Sequence, residues 1–169
     1  GALAIQWAPA GLTPDMAARL PFAGMPVLTP IATWYGVYYL ARSPAAQPVA
    51  FAFGGEAQPT DYARAMADGG LLALLACLGL AQLSHEATSY LVQLCCTTLV
   101  FFGFAALGFH TVAPALALAA GLAGLTLAGA PALAAMLGLG GAWLLWRSAS
   151  VDIAHQRRWV AATLILVAA

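Results

Sequence analysis

Residues 87–146 form a run of 60 positions without Asp, Glu, Lys or Arg. A helix needs about 20 apolar residues to cross the hydrocarbon core of a bilayer, so this run is long enough for two or three crossings. Of the 169 residues in the chain, 63% are hydrophobic and only 7% are charged, and the mean hydropathy is +0.87. The sequence therefore predicts an all-α integral membrane protein, with residues 1–169 as a single transmembrane helical domain.

Proline and glycine divide the uncharged run. Pro114 cannot donate a backbone hydrogen bond and suits the first turn of a new helix, and Gly129 with Pro131 marks a second break. The resulting spans are 88–109, 114–128 and 131–146. Because the last two are short for a bilayer, one long kinked segment is the alternative. Other apolar stretches predict spans over 26–41, about 66–84 and 158–169.

The positions of the arginines favour six separate crossings over an arrangement in which residues 114–146 form one crossing. Six crossings place five arginines on the side of His110 and one on the other side: Arg42, Arg64, Arg147, Arg157 and Arg158 against Arg19. This asymmetry agrees with the positive-inside rule, whereas the fused segment leaves two against four. We therefore predict a bundle of about six transmembrane helices, with four or five as alternatives.

Small residues recur at every fourth position in three of the predicted helices. These stripes are Ala73, Cys77 and Ala81; Ala113, Ala117 and Gly121; and Ala134, Gly138 and Ala142. Small side chains let helix backbones approach closely in lipid. An alanine-rich sequence also produces such stripes by chance, so they predict packing faces and identify no ligand.

Histidines bound the first span of the run. His85 and His110 are 25 positions apart, which is roughly 37 Å along a helix, so one helix cannot aim both at one ion. His110 and His155 share a membrane face in the six-helix arrangement. Either imidazole is a candidate ligand for a pigment or haem, such as chlorophyll magnesium, with Trp143, Trp146 and Phe109 beside the ring. The alternative is hydrogen bonding to lipid headgroups or water.

The cysteines do not predict a metal or redox site. Cys95 and Cys96 are adjacent, and together with Cys77 they match no CxxC spacing. A helix directs neighbouring side chains about 100° apart, so the pair cannot converge on one ion. We expect all three to be buried small side chains.

A polar loop over residues 43–65 is the remaining place for a site. Asp61 is a candidate cap for a helix that begins at Tyr62, and Asp61, Arg64 and Asp68 then share one helix face. An exposed ion pair at a helix start explains these residues. A substrate-carboxylate site or a docking surface for another subunit is the alternative.

Two functional hypotheses follow from this inventory. Six arginines balance six acids and no lysine occurs, so no basic surface for nucleic acid exists, and no catalytic motif is present. The first hypothesis is a non-catalytic accessory subunit of a larger membrane complex, energy-converting, photosynthetic or respiratory, whose partners are lipids and other transmembrane subunits. The second is a small standalone enzyme or carrier for a hydrophobic substrate. An organelle inner membrane, a thylakoid membrane and a bacterial inner membrane fit equally.

Overall fold

The structure is a computed structural model that describes residues 22–48, 57–77 and 88–147, with the single positions 13 and 19; side chains in the last range are described up to position 145. All regular structure in these ranges is helical, and no strand occurs in them. The predicted all-α class is therefore confirmed for this part of the chain. The helices are α1 (Met25–Ala41), α2 (Pro59–Ala76), α3 (Ser89–Ala106), α4 (Val112–Leu127) and α5 (Pro131–Arg147), with a 3-10 turn at Pro44–Ala46 after α1.

Predictions for residues 78–87 and for a helix over 158–169 lie outside the described ranges. The same holds for His85, His155, Arg157 and Arg158.

Proline and glycine set the helix boundaries that the sequence predicts. Proline lies in the first turn of α1, α5 begins with Pro131, and Pro114 lies in the first turn of α4. Gly129 between α4 and α5 has a φ of 81°, a left-handed conformation that glycine adopts without a steric penalty. Two separate helices that pack against each other follow from this turn, so the single kinked segment over 114–146 does not form.

Helix α3 lies between α1 and α4 and packs closely against both. Gly36 of α1 contacts Phe101 of α3, while Tyr39, further along α1, contacts Phe109, just beyond the end of α3. The contacts advance together along both chains, so α1 and α3 run in the same direction. The chain must therefore return across the bundle between them.

Helix α4 runs back along α3. A Cβ atom on Gly103 would lie 2.5 Å from Leu118 Cγ, and one on Gly121 would lie 2.8 Å from the Cys96 carbonyl oxygen. Later residues of α4 thus meet earlier residues of α3, which defines an antiparallel pair. The core between them contains the fully buried Leu118 and Leu125.

Helix α5 completes the described bundle. Its Gly141 lies against the ring of Phe104 of α3, and its Ala134 is buried in the α3–α4 core. The C-terminal ends of α1, α3 and α5 therefore lie together with the turn 107–111, and we call this the His110 end. Arg42 follows α1 and Arg147 ends α5, so the backbones of both residues lie at this end of the bundle.

Only α3 among the described helices is long and apolar enough to cross a membrane. Its 18 residues rise about 27 Å. Val112–Leu127 and Pro131–Leu145 are apolar but shorter. A core helix of a soluble protein meets the same criterion, so a bundle of six membrane-crossing helices stays a prediction.

Helix α2 begins earlier than the sequence predicts. It starts at Pro59 with Gln58 as its N-cap, so residues 59–65 of the predicted polar loop are helical. Asp61 lies in the first turn and does not cap a helix beginning at Tyr62. Proline suits the first helical position, and an acid in the first turn is stabilised by the helix dipole, which explains the earlier start.

The small-residue stripes have mixed outcomes. Ala134 and Gly138 are buried on α5, and Gly121 is buried on α4, as predicted. In contrast, Ala73, Cys77 and Ala113 are exposed, so these three positions do not pack against another described helix. On α2 the packed positions are instead Ala63 and Ala67, which are fully buried.

Candidate functional site

The His110 end brings together side chains that are distant in sequence. The Tyr39 hydroxyl lies 3.0 Å from His110 Nε2, across 71 positions of chain. Tyr39 occupies the last turns of α1, and His110 lies in the turn between α3 and α4. The parallel packing of α1 on α3 is what places the phenol beside the imidazole.

Aromatic rings surround this hydrogen bond. The centroid of Tyr39 is 5.2 Å from that of Phe109 and 5.5 Å from that of His110. The Arg42 guanidinium carbon lies 5.5 Å from the Phe109 centroid and 6.0 Å from the Tyr38 centroid. These are cation–π distances. We call Tyr38, Tyr39, Arg42, Phe109 and His110 the His110 cluster.

This cluster limits how His110 could hold a pigment or haem. Its Nε2 is already engaged by Tyr39, which leaves Nδ1 as the nitrogen open to a further ligand. No group of three or more His, Cys, Asp or Glu side chains that could hold a metal occurs in the described ranges. Phe109 packs on Tyr39 and Arg42, and Trp143 is exposed. His155 and the side chain of Trp146 lie outside what the structure describes, so axial ligation stays a prediction.

The predicted loop site does not gather its three residues. Arg64 Nη1 bonds to Asp61 Oδ1 at 3.3 Å, and both side chains are 64% exposed. This is the exposed helix-start ion pair that the sequence predicts, and such pairs contribute little to stability. Asp68 instead accepts a hydrogen bond from Trp34 Nε1 at 2.8 Å. The three side chains therefore serve two different contacts.

The Trp34–Asp68 contact links α1 to α2 and is not predicted from the sequence. Trp34 also stacks on Tyr38, with the centroids 5.4 Å apart and the planes 6° from parallel. Their spacing of four positions places them on one helix face. That spacing could have identified the stack, but its partner on α2 depends on tertiary packing. Through Tyr38, this contact adjoins the His110 cluster.

The opposite end of the bundle has its own polar link. Gln93 Nε2 donates to the carbonyl oxygen of Ala128 at 3.0 Å and so satisfies a carbonyl at the C-terminus of α4. Thr97 and Thr98 bond to carbonyls of their own helix, those of Gln93 and Cys95. Gln93 thus links α3 to the end of α4, whereas Thr97 and Thr98 are satisfied within α3.

The cysteines divide into two kinds. Cys95 and Cys96 are buried, as predicted. Cys77 is exposed at the end of α2, where its thiol bonds to the Ala73 carbonyl at 3.3 Å, so the prediction that it is buried is wrong. All three are free thiols.

Comparison of the chain with protein families, curated proteins and solved structures finds no match.

Proposed function

We propose that the protein is a non-catalytic structural subunit of a larger membrane-embedded complex of the energy-converting class, photosynthetic or respiratory. The observation that carries this proposal is the exposure of large apolar side chains on all five described helices. Examples are Val27, Ile31 and Leu40 on α1, Leu72 and Leu75 on α2, Tyr90 and Phe101 on α3, Leu116 and Leu127 on α4, and Leu139 and Trp143 on α5.

Exposure on this scale is unfavourable in water. Each Å² of apolar surface left in water costs about 25 cal/mol, and large exposed apolar surfaces mark contact with lipid or with other proteins. Several helices here are short for an independent crossing, and neighbouring subunits would cover part of their outer faces. Lipid and partner helices together account for the apolar exterior.

The polar contacts support a structural role over a chemical one. Trp34 bonds to Asp68 between α1 and α2, Tyr39 bonds to His110, and Gln93 bonds to the end of α4. Each of these bonds joins separate parts of the bundle. Polar groups used in this way fix helix positions, which is what a scaffold requires.

Purification tests the proposal. The protein, tagged in its native host membrane and extracted in mild detergent, is expected to copurify with other membrane proteins at a fixed ratio, measured by native mass spectrometry. A monomer or small homo-oligomer without partners would contradict the proposal and favour the carrier or enzyme for a hydrophobic substrate.

Two leucines of α4 provide a matched pair for the same experiment. Leu116 is 66% exposed and Leu118 is 1% exposed. Leu118→Trp is expected to destabilise the bundle, because Leu118 packs closely against Gly103 of α3 and a larger ring would overpack the core. Leu116→Trp and the corresponding change at exposed Leu139 are expected to keep the helix content, and at least one is expected to reduce the partner ratio. Unchanged ratios for every exposed-face variant would argue against protein partners at these faces.

A further inference from the structure

Arg42 is a cation at the His110 end without a carboxylate partner among the residues that the structure describes. The one ion pair among the described residues joins Arg64 to Asp61. Asp68 accepts a hydrogen bond from Trp34. The backbone N–H of Arg42 bonds to the Tyr38 carbonyl. Its guanidinium thus keeps five N–H donors for another acceptor.

Aromatic rings hold this guanidinium in place. Its central carbon lies within 6.0 Å of the centroids of both Tyr38 and Phe109. A guanidinium carries its N–H groups in one plane, and this planar fork matches a phosphate or carboxylate. Less side-chain freedom is lost on binding, because the rings already restrict the arginine.

His110 offers a second donor at the same end of the bundle. Tyr39 contacts both the Phe109 ring and the His110 ring, so the arginine and the imidazole share one aromatic platform. When the Tyr39 hydroxyl donates to Nε2, the neutral imidazole carries its hydrogen on Nδ1 and can donate from there.

We propose that the His110 cluster binds the phosphate of an anionic phospholipid headgroup, with Arg42 as the principal donor and His110 as the second. The inference rests on the membrane placement in the proposed function. Leu40, between Tyr39 and Arg42 in the sequence, is 51% exposed, and Val112, two residues after His110, is 71% exposed. These apolar side chains offer a surface for acyl chains, which a free phosphate ion would not use. Arginine and tyrosine at helix ends also match the usual composition of the membrane interface.

Lipid retention tests the site. The full chain is reconstituted in nanodiscs that contain equal amounts of phosphatidylcholine and phosphatidylglycerol, and the lipids retained after release into detergent are counted by native mass spectrometry. The wild type is expected to retain phosphatidylglycerol preferentially. Arg42→Gln is expected to lower that preference about fivefold, the usual contribution of one arginine near an anionic surface. His110→Gln is expected to lower it by a smaller factor.

Arg64→Gln is the matched control, since it removes the same charge from an exposed arginine that is already paired. It is expected to leave the preference unchanged. An equal loss in Arg64→Gln and Arg42→Gln would overturn the proposal, because the effect would then be one of net charge. Arg42→Lys keeps the charge without the planar fork and is expected to give an intermediate preference, with helix content checked by circular dichroism.

Two further outcomes separate the possible failures. If millimolar inorganic phosphate displaces the retained phosphatidylglycerol, the site takes free phosphate and the lipid assignment is wrong. If the protein enters nanodiscs but shows no lipid preference, the headgroup site fails while the membrane placement stands. If it does not enter nanodiscs, the proposed function fails and this site fails with it.

Discussion

Close packing of α4 on α3 at Gly121 leads to a quantitative prediction. A Cβ atom there would lie 2.7 Å from Val100 Cγ2, 2.8 Å from the Cys96 carbonyl oxygen and 3.1 Å from the Val100 backbone nitrogen. Two of these three atoms belong to the backbone and cannot rotate away. Gly121→Ala must therefore separate the two helices.

The size of the stability loss in Gly121→Ala follows from comparison with a second glycine, Gly140. Gly140 is inside α5, and a Cβ atom on it would meet nothing within 4 Å. Both Gly121→Ala and Gly140→Ala gain helix propensity, about 1 kcal/mol on scales measured in water. This gain is the same in both variants and cancels when their stabilities are compared. Gly121→Ala is therefore expected to be less stable than Gly140→Ala by the overpacking penalty, about 1–3 kcal/mol.

Unfolding of the two variants in mixed micelles, with increasing fractions of a denaturing detergent and circular dichroism as the readout, measures this difference. We expect Gly140→Ala to be at least as stable as the wild type and Gly121→Ala to be less stable. Equal stability of the two variants would refute the close contact between α3 and α4 at this position.

Three further predictions concern the polar contacts and the topology. Asp68→Ala removes the acceptor of the Trp34 hydrogen bond and is expected to destabilise the protein by about 1 kcal/mol and to shift the tryptophan emission. Asp68→Asn keeps an acceptor oxygen and is expected to change the stability very little. Equal destabilisation by the two variants would contradict a role for this hydrogen bond. His110→Ala is expected to abolish the absorption of any pigment or haem that copurifies and is held by this residue, and a spectrum that survives the change shows that His110 is not the ligand. Cysteines introduced at Ser43 and at exposed Ala132, which lie at opposite ends of the bundle, are expected to react with impermeant reagents from opposite sides of the membrane. Labelling of both from one side would contradict the alternating helices.

Helix boundaries were predictable where a residue dictates backbone conformation. Pro114 and the turn at Gly129 mark chain breaks whatever the helices pack against, and the structure has both. The sequence pattern puts the start of α2 too late, because Asp61 is as compatible with the first turn of a helix as with its cap. Pro59, two residues earlier, was the signal for the correct start.

Which face of each helix packs was less predictable. In a soluble amphipathic helix, polar residues mark the outer face. Here both faces of α4 and α5 are apolar, so Ala113 and Gly121 looked equivalent although one is exposed and the other buried. The contact of Tyr39 with His110 is also not predictable from the sequence. The two residues are 71 positions apart, and a local sequence pattern carries no information about a contact over that separation.

The parallel packing of α1 on α3 has a consequence for the order in which the protein assembles. Helices α3 and α4 are neighbours in sequence, joined by a short turn, and the bond from Gln93 to Ala128 closes the far end of their hairpin. Contacts between adjacent segments form fastest, so this hairpin is the natural first unit of assembly. Helix α1 is synthesised earlier, but its partner face on α3 emerges only after α2 and the rest of the chain that precedes Ser89. During synthesis, Gly36 and Tyr39 of α1 therefore lack their native partners until α3 has been made. In this order of assembly, α1 docks onto a hairpin of α3 and α4 that has already formed.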